Sequence, residues 1–337
     1  MRHFVIVAIL VIVITFLAYF GLMTAKLMPV EASAQSLSID WLWNLELMMI
    51  SFLFSLIIVP LFYSLIVFRR KKGETGDGEY MEGNKTLEVT WTVIPLFVVL
   101  TFAYLGAYSL GETRRLNPDA MEVKVTAQQF AFSFDYAQFG FTSDELYLPV
   151  DKQVVFKMTS RDVIHSFWVP EFRVKQDIVP GRTTEYRITP TMLTGEQPFK
   201  VRCAELCGAS HSYMLANVHV VTQQDFDTWV TARQKEAAAA AQTPEGRGQT
   251  LVTQNGCLGC HSVDGSAGTG PTWFRLYGEP AQLADGSTVT ADDAYIKESI
   301  LQPQAKIVAG FESVLMPKFE FSDEQIADII AYIKTLR

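Results

Sequence analysis

Two short cysteine-bearing segments hold the residues best suited to redox chemistry. The first is Cys203-Ala204-Glu205-Leu206-Cys207-Gly208-Ala209-Ser210-His211-Ser212-Tyr213-Met214, which gathers two thiols, an imidazole and a thioether. Soft thiolate with imidazole and thioether is copper chemistry more than zinc chemistry. A single blue-copper ion needs one cysteine, whereas two cysteines four residues apart in one loop can both bridge a pair of copper ions. Shared thiolates spread the unpaired electron, so bond lengths change little on redox and the barrier to transfer stays small. One ligand is missing from the loop. His165, 38 residues upstream in Asp162-Val163-Ile164-His165-Ser166-Phe167-Trp168-Val169-Pro170, is the candidate. A lone histidine beside aromatics is more often a packed core residue; a loop short of one imidazole reverses that expectation. A disulfide or a zinc half-site is the competing reading of the cysteine pair. His219 reads as a structural or surface histidine.

The second segment is Cys257-Leu258-Gly259-Cys260-His261. Its C-x-x-C-H spacing lets two thioethers hold a haem edge while the histidine binds iron. Thioredoxin-like and zinc readings compete, but neither explains the following histidine with no cysteine downstream. Beyond His261 there is no other histidine, and Met316, in Val314-Leu315-Met316-Pro317-Lys318-Phe319, is the one methionine. Met316 is therefore the expected second axial ligand, and a methionine opposite a histidine raises the iron's potential. In the tail, Ser322 and Gln325 form a predicted capping box. Ile326, Ile329, Ile330 and Ile333 then share one face of a helix.

These segments need a scaffold. The chain has 337 residues, long enough for two or three domains. It is 49% hydrophobic with a net charge of −8, which argues against a nucleic-acid partner. Its mean hydropathy of +0.16 is high for a soluble chain with 19% charged residues. Three runs without Asp, Glu, Lys or Arg account for this: His3 to Ala25, Leu47 to Phe68, and Val89 to Gly111. Each has 22 or 23 residues, enough to cross about 30 Å of hydrocarbon as a helix. Arg69, Arg70, Lys71 and Lys72 follow the second run, so the loop Arg69–Glu88 is expected in the cytoplasm and everything after about Glu112 outside. The first run reads either as a retained helix or as a cleaved signal, since Ala32-Ser33-Ala34 before Gln35 is similar to a signal-peptidase site. Both readings put the following segment outside.

From Met121 to Val221 the texture changes. Met121-Glu122-Val123-Lys124-Val125-Thr126 and Gln153-Val154-Val155-Phe156-Lys157-Met158 alternate, and Pro149, Pro170, Pro180-Gly181, Pro190 and Pro198 break the runs. That pattern predicts a β-sandwich or barrel. Phe130, Phe132, Phe134 and Tyr136 are expected to alternate on one strand, mostly as core packing. The stretch from Arg233 to Glu245 is Ala-rich and reads as a helix end plus linker. The expected domains are 1–34 (apolar helix or signal), 35–115 (helical hairpin), 116–231 (β-domain), 232–244 (linker) and 245–337 (haem domain). From Thr243 onward there are 12 acidic and 7 basic residues, a balance that favours a basic partner.

From about Asp40 to Val230 the chain resembles subunit II of haem–copper cytochrome c oxidases, with its CuA domain. The resemblance is carried by His165-Ser166-Phe167-x-Val169-Pro170, by Lys175-x-Asp177-x-x-Pro180-Gly181, and by Cys-x-Glu-x-Cys-Gly-x-x-His-x-x-Met. From about Pro244 to Arg337 it resembles class I c-type cytochromes. The whole is similar to the fused subunit II of caa3-type oxidases. The resemblance implies a multidomain chain: a transmembrane α-helical hairpin with an added N-terminal helix, a cupredoxin-like β-barrel, and an all-α cytochrome c domain. It implies that Cys203 and Cys207 bridge two coppers, His165 and Met214 completing one, and His211 and the Glu205 carbonyl the other. It further implies a magnesium ion at the Glu205 carboxylate on the border with subunit I. Glu88 matches the family's glutamate at the mouth of a proton pathway; an ordinary charge at a helix N-terminus is the competing reading.

One segment departs from the family. Where the family has a Trp-rich aromatic stretch, this chain has Gln128-Gln129-Phe130-Ala131-Phe132-Ser133-Phe134, and Phe130 takes the place of the electron-receiving tryptophan. A haem donor in the same chain would make docking of a conventional soluble cytochrome c unnecessary. The implied path runs from an external donor (a cytochrome, another small redox protein or an upstream respiratory complex) to haem c, to CuA, and to haem in subunit I, where O2 is reduced with proton translocation. The implied partners are subunit I, subunit III and the bacterial plasma membrane, which the chain crosses more than once, with both redox domains on the outer face. A CuA-containing nitric oxide reductase subunit is the alternative. Nitrous oxide reductase typically has aromatics where this loop has Ala-Glu-Leu, and a copper chaperone would lack the methionine.

Overall fold

The computed structural model describes residues 1–78 and 80–337. They form two compact units: Met1–Glu31 with Gln35–Arg115, and Ala32–Ala34 with Leu116–Arg337.

The first unit consists of three helices, α1 (Arg2–Thr24), α2 (Ala34–Val67) and α3 (Lys85–Thr113). All three are long and apolar enough to cross a membrane. Several of their polar side chains are satisfied within the helix. Ser51 Oγ donates to the Leu47 carbonyl at 2.7 Å, Ser55 Oγ to Ser51 at 2.8 Å, and Thr101 Oγ1 to Phe97 at 2.8 Å. That arrangement suits surroundings without water, where an unsatisfied polar group costs several kcal/mol. At the start of α3 the Asn84 side chain accepts from the Leu87 N–H, and Glu88 sits in the first turn, where the helix dipole favours a carboxylate. Helix α2 begins well before the charge-free run at Leu47. Asp40 and Glu46 end that run, yet partly exposed carboxylates do not stop a helix.

The second unit opens with a ten-stranded β-domain: β1 (Met121–Gln128), β2 (Ala131–Tyr136), β3 (Phe141–Ser143), β4 (Leu146–Pro149), β5 (Val154–Ser160), β6 (His165–Trp168), β7 (Lys175–Ile178), β8 (Thr184–Ile188), β9 (Phe199–Cys203) and β10 (Leu215–Val221). One sheet runs β3-β2-β1-β5-β8, the other β4-β10-β9-β6-β7. The β1–β5 and β4–β10 pairs are parallel, giving the cupredoxin-like order. Alternation explains the shared core: Val123, Val125, Phe134, Phe156, Phe167, Val201 and Val218 all point into it. A buried Phe side chain contributes about 2 to 3 kcal/mol. Phe130 departs from the expected stripe. It lies in the turn before β2, while Phe132, Phe134 and Tyr136 are on the strand and buried.

The Ala32–Ala34 tripeptide is built into this β-domain. Its neighbours are the β8 end and the short helical turn at Pro170–Phe172. Ala32 N–H donates to the Glu171 carbonyl, Thr191 N–H to Ala32, and Ala34 N–H to Thr189, at 2.9 to 3.0 Å. Ser33 Oγ adds a bond to the Phe172 carbonyl at 3.0 Å. Ala32 and Ser33 are fully buried.

Helix α4 (Gln223–Ala240) is capped by Thr222 and takes up most of the Ala-rich stretch. Phe226 and Val230 anchor it in the β core, and Trp229 stacks on Tyr147 at 4.3 Å. The cytochrome c part follows with α5 (Pro244–Gln254), a hairpin of β11 (Pro280–Gln282) and β12 (Thr288–Thr290), α6 (Asp293–Leu301) and α7 (Asp323–Thr335). The capping box at Ser322 and Gln325 is present, and Ile326, Ile329, Ile330 and Ile333 are all buried. Helices α5 and α7 meet closely at Gly248, where an added Cβ would come within 1.9 Å of the Asp328 carbonyl oxygen. Arg247 and Asp328 fasten the same contact by a two-pronged ion pair at 2.7 and 2.8 Å.

Candidate metal centre and haem site

Strand β9 ends at Cys203 and pairs with β6, which begins at His165; β10 starts directly after Met214. Antiparallel pairing thus brings a histidine from 38 residues upstream to the cysteine loop. His165 Nδ1 lies 3.8 Å from Cys203 Sγ, and the two sulfurs are 3.8 Å apart. Cys207 Sγ is 3.5 Å from His211 Nδ1 and 3.8 Å from Met214 Sδ. The Glu205 carbonyl oxygen turns inward, 3.2 Å from Cys203 Sγ. The donor atoms of His165, Cys203 and Cys207 all lie within 4.8 Å of one another, and Glu205, His211 and Met214 each come within 3.2 to 3.8 Å of one of the two sulfurs. His165 and Met214 are fully buried, Cys203 and Cys207 nearly so, and all four cysteines of the chain are free. Two thiolates, two imidazole nitrogens, a thioether and a carbonyl make a donor set that fits copper.

Asp162 sets the orientation of His165. Its Oδ1 sits 2.8 Å from His165 Nε2, leaving Nδ1 to face the sulfurs. Burial opposes charge on His165, but Asp162 and Cys203 outweigh it and lift the ring to about 9. Burial pushes the Cys203 thiol up, yet the hydrogen bond from His165 brings it well below its usual range. Burial and the neighbouring Cys203 charge push Cys207 up.

The haem motif follows α5 as a short helical turn at Cys257–Gly259. Cys257, Cys260, His261 and Met316 line one cavity, with Trp273, Phe311, Phe319 and Ile329 among its apolar walls. His261 Nδ1 lies 2.7 Å from the Pro271 carbonyl, which can only accept. The proton is thus held on Nδ1 and Nε2 is left with a lone pair, the form that binds iron. Burial lowers the His261 pKa and keeps the ring neutral. Trp273 stacks on the ring at 4.7 Å and fixes its plane. A single apolar cavity carrying both cysteines, the histidine and the methionine fits a covalently held haem.

Phe130 and Glu88 occupy other settings. Phe130 is buried, with the haem segment laid against it: a Cβ on Gly259 would meet the Phe130 carbonyl oxygen at 2.9 Å. On its other side the Phe130 ring meets the copper loop, 3.0 Å from where a Gly208 Cβ would lie. Glu88 is exposed in the first turn of α3. The Glu205 side chain is exposed. Sequence reasoning missed Asp162, Gln129, Pro271 and Trp273. Asp162 carried a signal, standing three residues before His165; the others reach the sites only through tertiary contacts.

A membrane-anchored chain whose β-domain gathers a copper donor set and whose α-helical domain gathers a c-type haem site belongs to the respiratory electron carriers. Comparison with known families gives the same domains in the same order. The family described as "Cytochrome C oxidase subunit II, transmembrane domain" matches residues 21–110, "Cytochrome C oxidase subunit II, periplasmic domain" matches 132–221, and "Cytochrome c" matches 246–337. Cytochrome c oxidase subunit 2 of Alkalihalophilus pseudofirmus is 31% identical, covering 85% of this chain and 83% of that one. The subunit 2 of Synechocystis is 31% identical over 74% of this chain and 89% of its own. The subunit 2 of Bacillus subtilis is 29% identical, covering 83% of each. Among solved structures, the periplasmic domain of subunit II of cytochrome oxidase (CoxB) of Bradyrhizobium japonicum is 30% identical, covering 36% of this chain and 99% of that one, with a TM-score of 0.33. The chain belongs to the cytochrome c oxidase subunit II family, with a cytochrome c domain fused behind the copper domain. It is part of an oxidase, implying copper, haem, a subunit I partner and an electron donor.

Proposed function

We propose that the chain is the electron-receiving subunit of a caa3-type cytochrome c oxidase, lying across the bacterial plasma membrane more than once with both redox domains on the outer face. When bound, haem c and a dinuclear CuA pair supply one-electron chemistry, from an external donor through haem c and copper to haem in subunit I, where O2 is reduced to water with proton translocation. The observation that carries this reading is the clustering of His165, Cys203 and Cys207, with Glu205, His211 and Met214 each in contact with one of the two sulfurs, in the same compact unit as the haem cavity.

The residues of the chain divide the work. Cys203 and Cys207 would hold the copper, and Asp162 holds His165 with its Nδ1 inward. Cys257 and Cys260 would tether the porphyrin, and His261 and Met316 would supply ligands to its iron. The Glu205 carboxylate would hold a magnesium ion at the subunit I border, and Glu88 would serve the mouth of a proton pathway. Subunit III completes the assembly. The relatives named above are oxidase subunits, and no observation favours nitric oxide as the final acceptor.

The test is purification of the native complex with metal, haem and oxygen-uptake analysis. Two coppers and one haem c per chain, a mixed-valence copper signal in electron paramagnetic resonance, and oxygen consumption are expected. One copper per chain, or a haem released by acid acetone, would overturn the assignment.

A further inference from the structure

The haem cavity is not walled by the cytochrome c domain alone. Gln128 and Gln129, at the end of β1, line it together with Cys257, Cys260, His261 and Met316. Gln129 also reaches the copper loop. Its side-chain amide Nε2 donates to the Cys207 carbonyl at 2.6 Å. Its backbone N–H donates to Asp162 Oδ2 at 2.7 Å, and the other oxygen of that carboxylate holds His165. One residue thus borders the haem cavity and is hydrogen-bonded to the copper-ligating loop.

The register that allows this is fixed by polar contacts between the two domains. Arg161 Nη1 donates to Asn255 Oδ1 at 2.6 Å and to Gln128 Oε1 at 3.1 Å. Gln128 Nε2 donates to the Asn255 carbonyl. Ser210 Oγ donates to Thr269 Oγ1 at 2.9 Å. Glycines make the approach possible: a Cβ at Gly256 would meet Gln128 Nε2 at 2.7 Å, and one at Gly259 would meet Ala131 Cβ at 3.0 Å.

We propose that Gln129 is the bridge for the internal electron hand-over, with Arg161 as the latch that keeps the two domains in register. This rests on the functional reading above. In the step, haem iron goes from ferrous to ferric and the copper pair gains one electron; no bond is made or broken and no proton moves. Electronic coupling falls off more slowly through covalent and hydrogen bonds than across a van der Waals gap. The Gln129 amide and its bond to Cys207 offer such a route, whereas the Phe130 ring meets the copper loop by contact alone. Gln129 is thus a positioning residue for transfer and not a ligand of either centre.

The experiment is single-turnover spectroscopy on the purified, fully loaded complex. Haem c is reduced by a laser-released electron, and haem oxidation and copper reduction are followed at their own absorption bands. In Gln129→Leu the hand-over should slow by about tenfold or more, while both midpoint potentials and the copper resonance spectrum stay as in the parent. In Phe130→Leu it should change by less than about threefold. An unchanged rate in Gln129→Leu, or a slowing fully accounted for by a shifted potential, overturns the bridge. If Gln129→Leu fails to load copper, Arg161→Ala decides, since Arg161 lies in neither centre: slow hand-over with intact spectra is expected, and a parental rate overturns the proposal. A parent complex lacking either centre would instead sink the functional reading.

Discussion

At the scale of single residues, the two methionines separate the two centres experimentally. Met214 Sδ is 3.8 Å from Cys207 Sγ and fully buried, so Met214→Leu keeps the volume while removing the donor. The copper potential and visible spectrum should shift while the haem spectrum stays; unchanged copper bands would count against ligation. Met316 lines the haem cavity across from no competing donor, because no other histidine or methionine follows His261. Met316→Ala should leave the haem covalently attached through Cys257 and Cys260, abolish the methionine–iron charge-transfer band, and lower the haem potential. Survival of that band would mean that another group binds the iron. The candidate ligands could be named from the sequence because copper and haem chemistry restrict residue type and spacing so tightly. Their orienting partners could not, because a carboxylate such as Asp162 or a carbonyl such as Pro271 acquires its role only once folding brings it to the ring.

At the scale of elements, the weak point is the α5–α7 crossing. Gly248 gives α5 the room to touch the backbone of α7, and a methyl group there would sit 1.9 Å from the Asp328 carbonyl oxygen. The helices must then separate, which also pulls on the Arg247–Asp328 pair. Gly248→Ala should destabilise the cytochrome c domain by about 3 kcal/mol, read as an earlier loss of the haem Soret signal in urea while copper bands persist. A parental midpoint would show that the helices accommodate the methyl group. Sequence periodicity found α7 completely, cap and apolar face included, since both are local. It placed the start of α2 at Leu47 and not Ala34, because a charge-free window follows hydrocarbon thickness and not helix length. It put Phe130 on a strand because alternation of aromatics does not announce the turn that precedes them.

At the scale of the whole molecule, domain order was readable from texture: apolar runs, then alternation with proline breaks, then an Ala-rich helix and a haem motif. The meeting of the β-domain with the cytochrome c domain was not. It depends on Gln128, Arg161 and Asn255, which are separated by 33 to 127 residues and have no spacing rule. The Ala32–Ala34 tripeptide has the small-residue look of a protease target, yet it is stitched into folded sheet with Ala32 and Ser33 sealed from solvent. A peptidase needs its substrate extended and reachable, so trimming after Ala34 can occur only before the β-domain closes. Were the chain trimmed there, cutting would have to precede closure of the β-domain, whereas a retained first helix needs no such order. Folded chain offered to signal peptidase in detergent should stay intact by mass, and cutting of the folded form would show that the stitch opens; loss of residues 1–34 only from chain first unfolded in urea is the outcome the signal reading expects, and no cutting in either form the outcome the retained-helix reading expects.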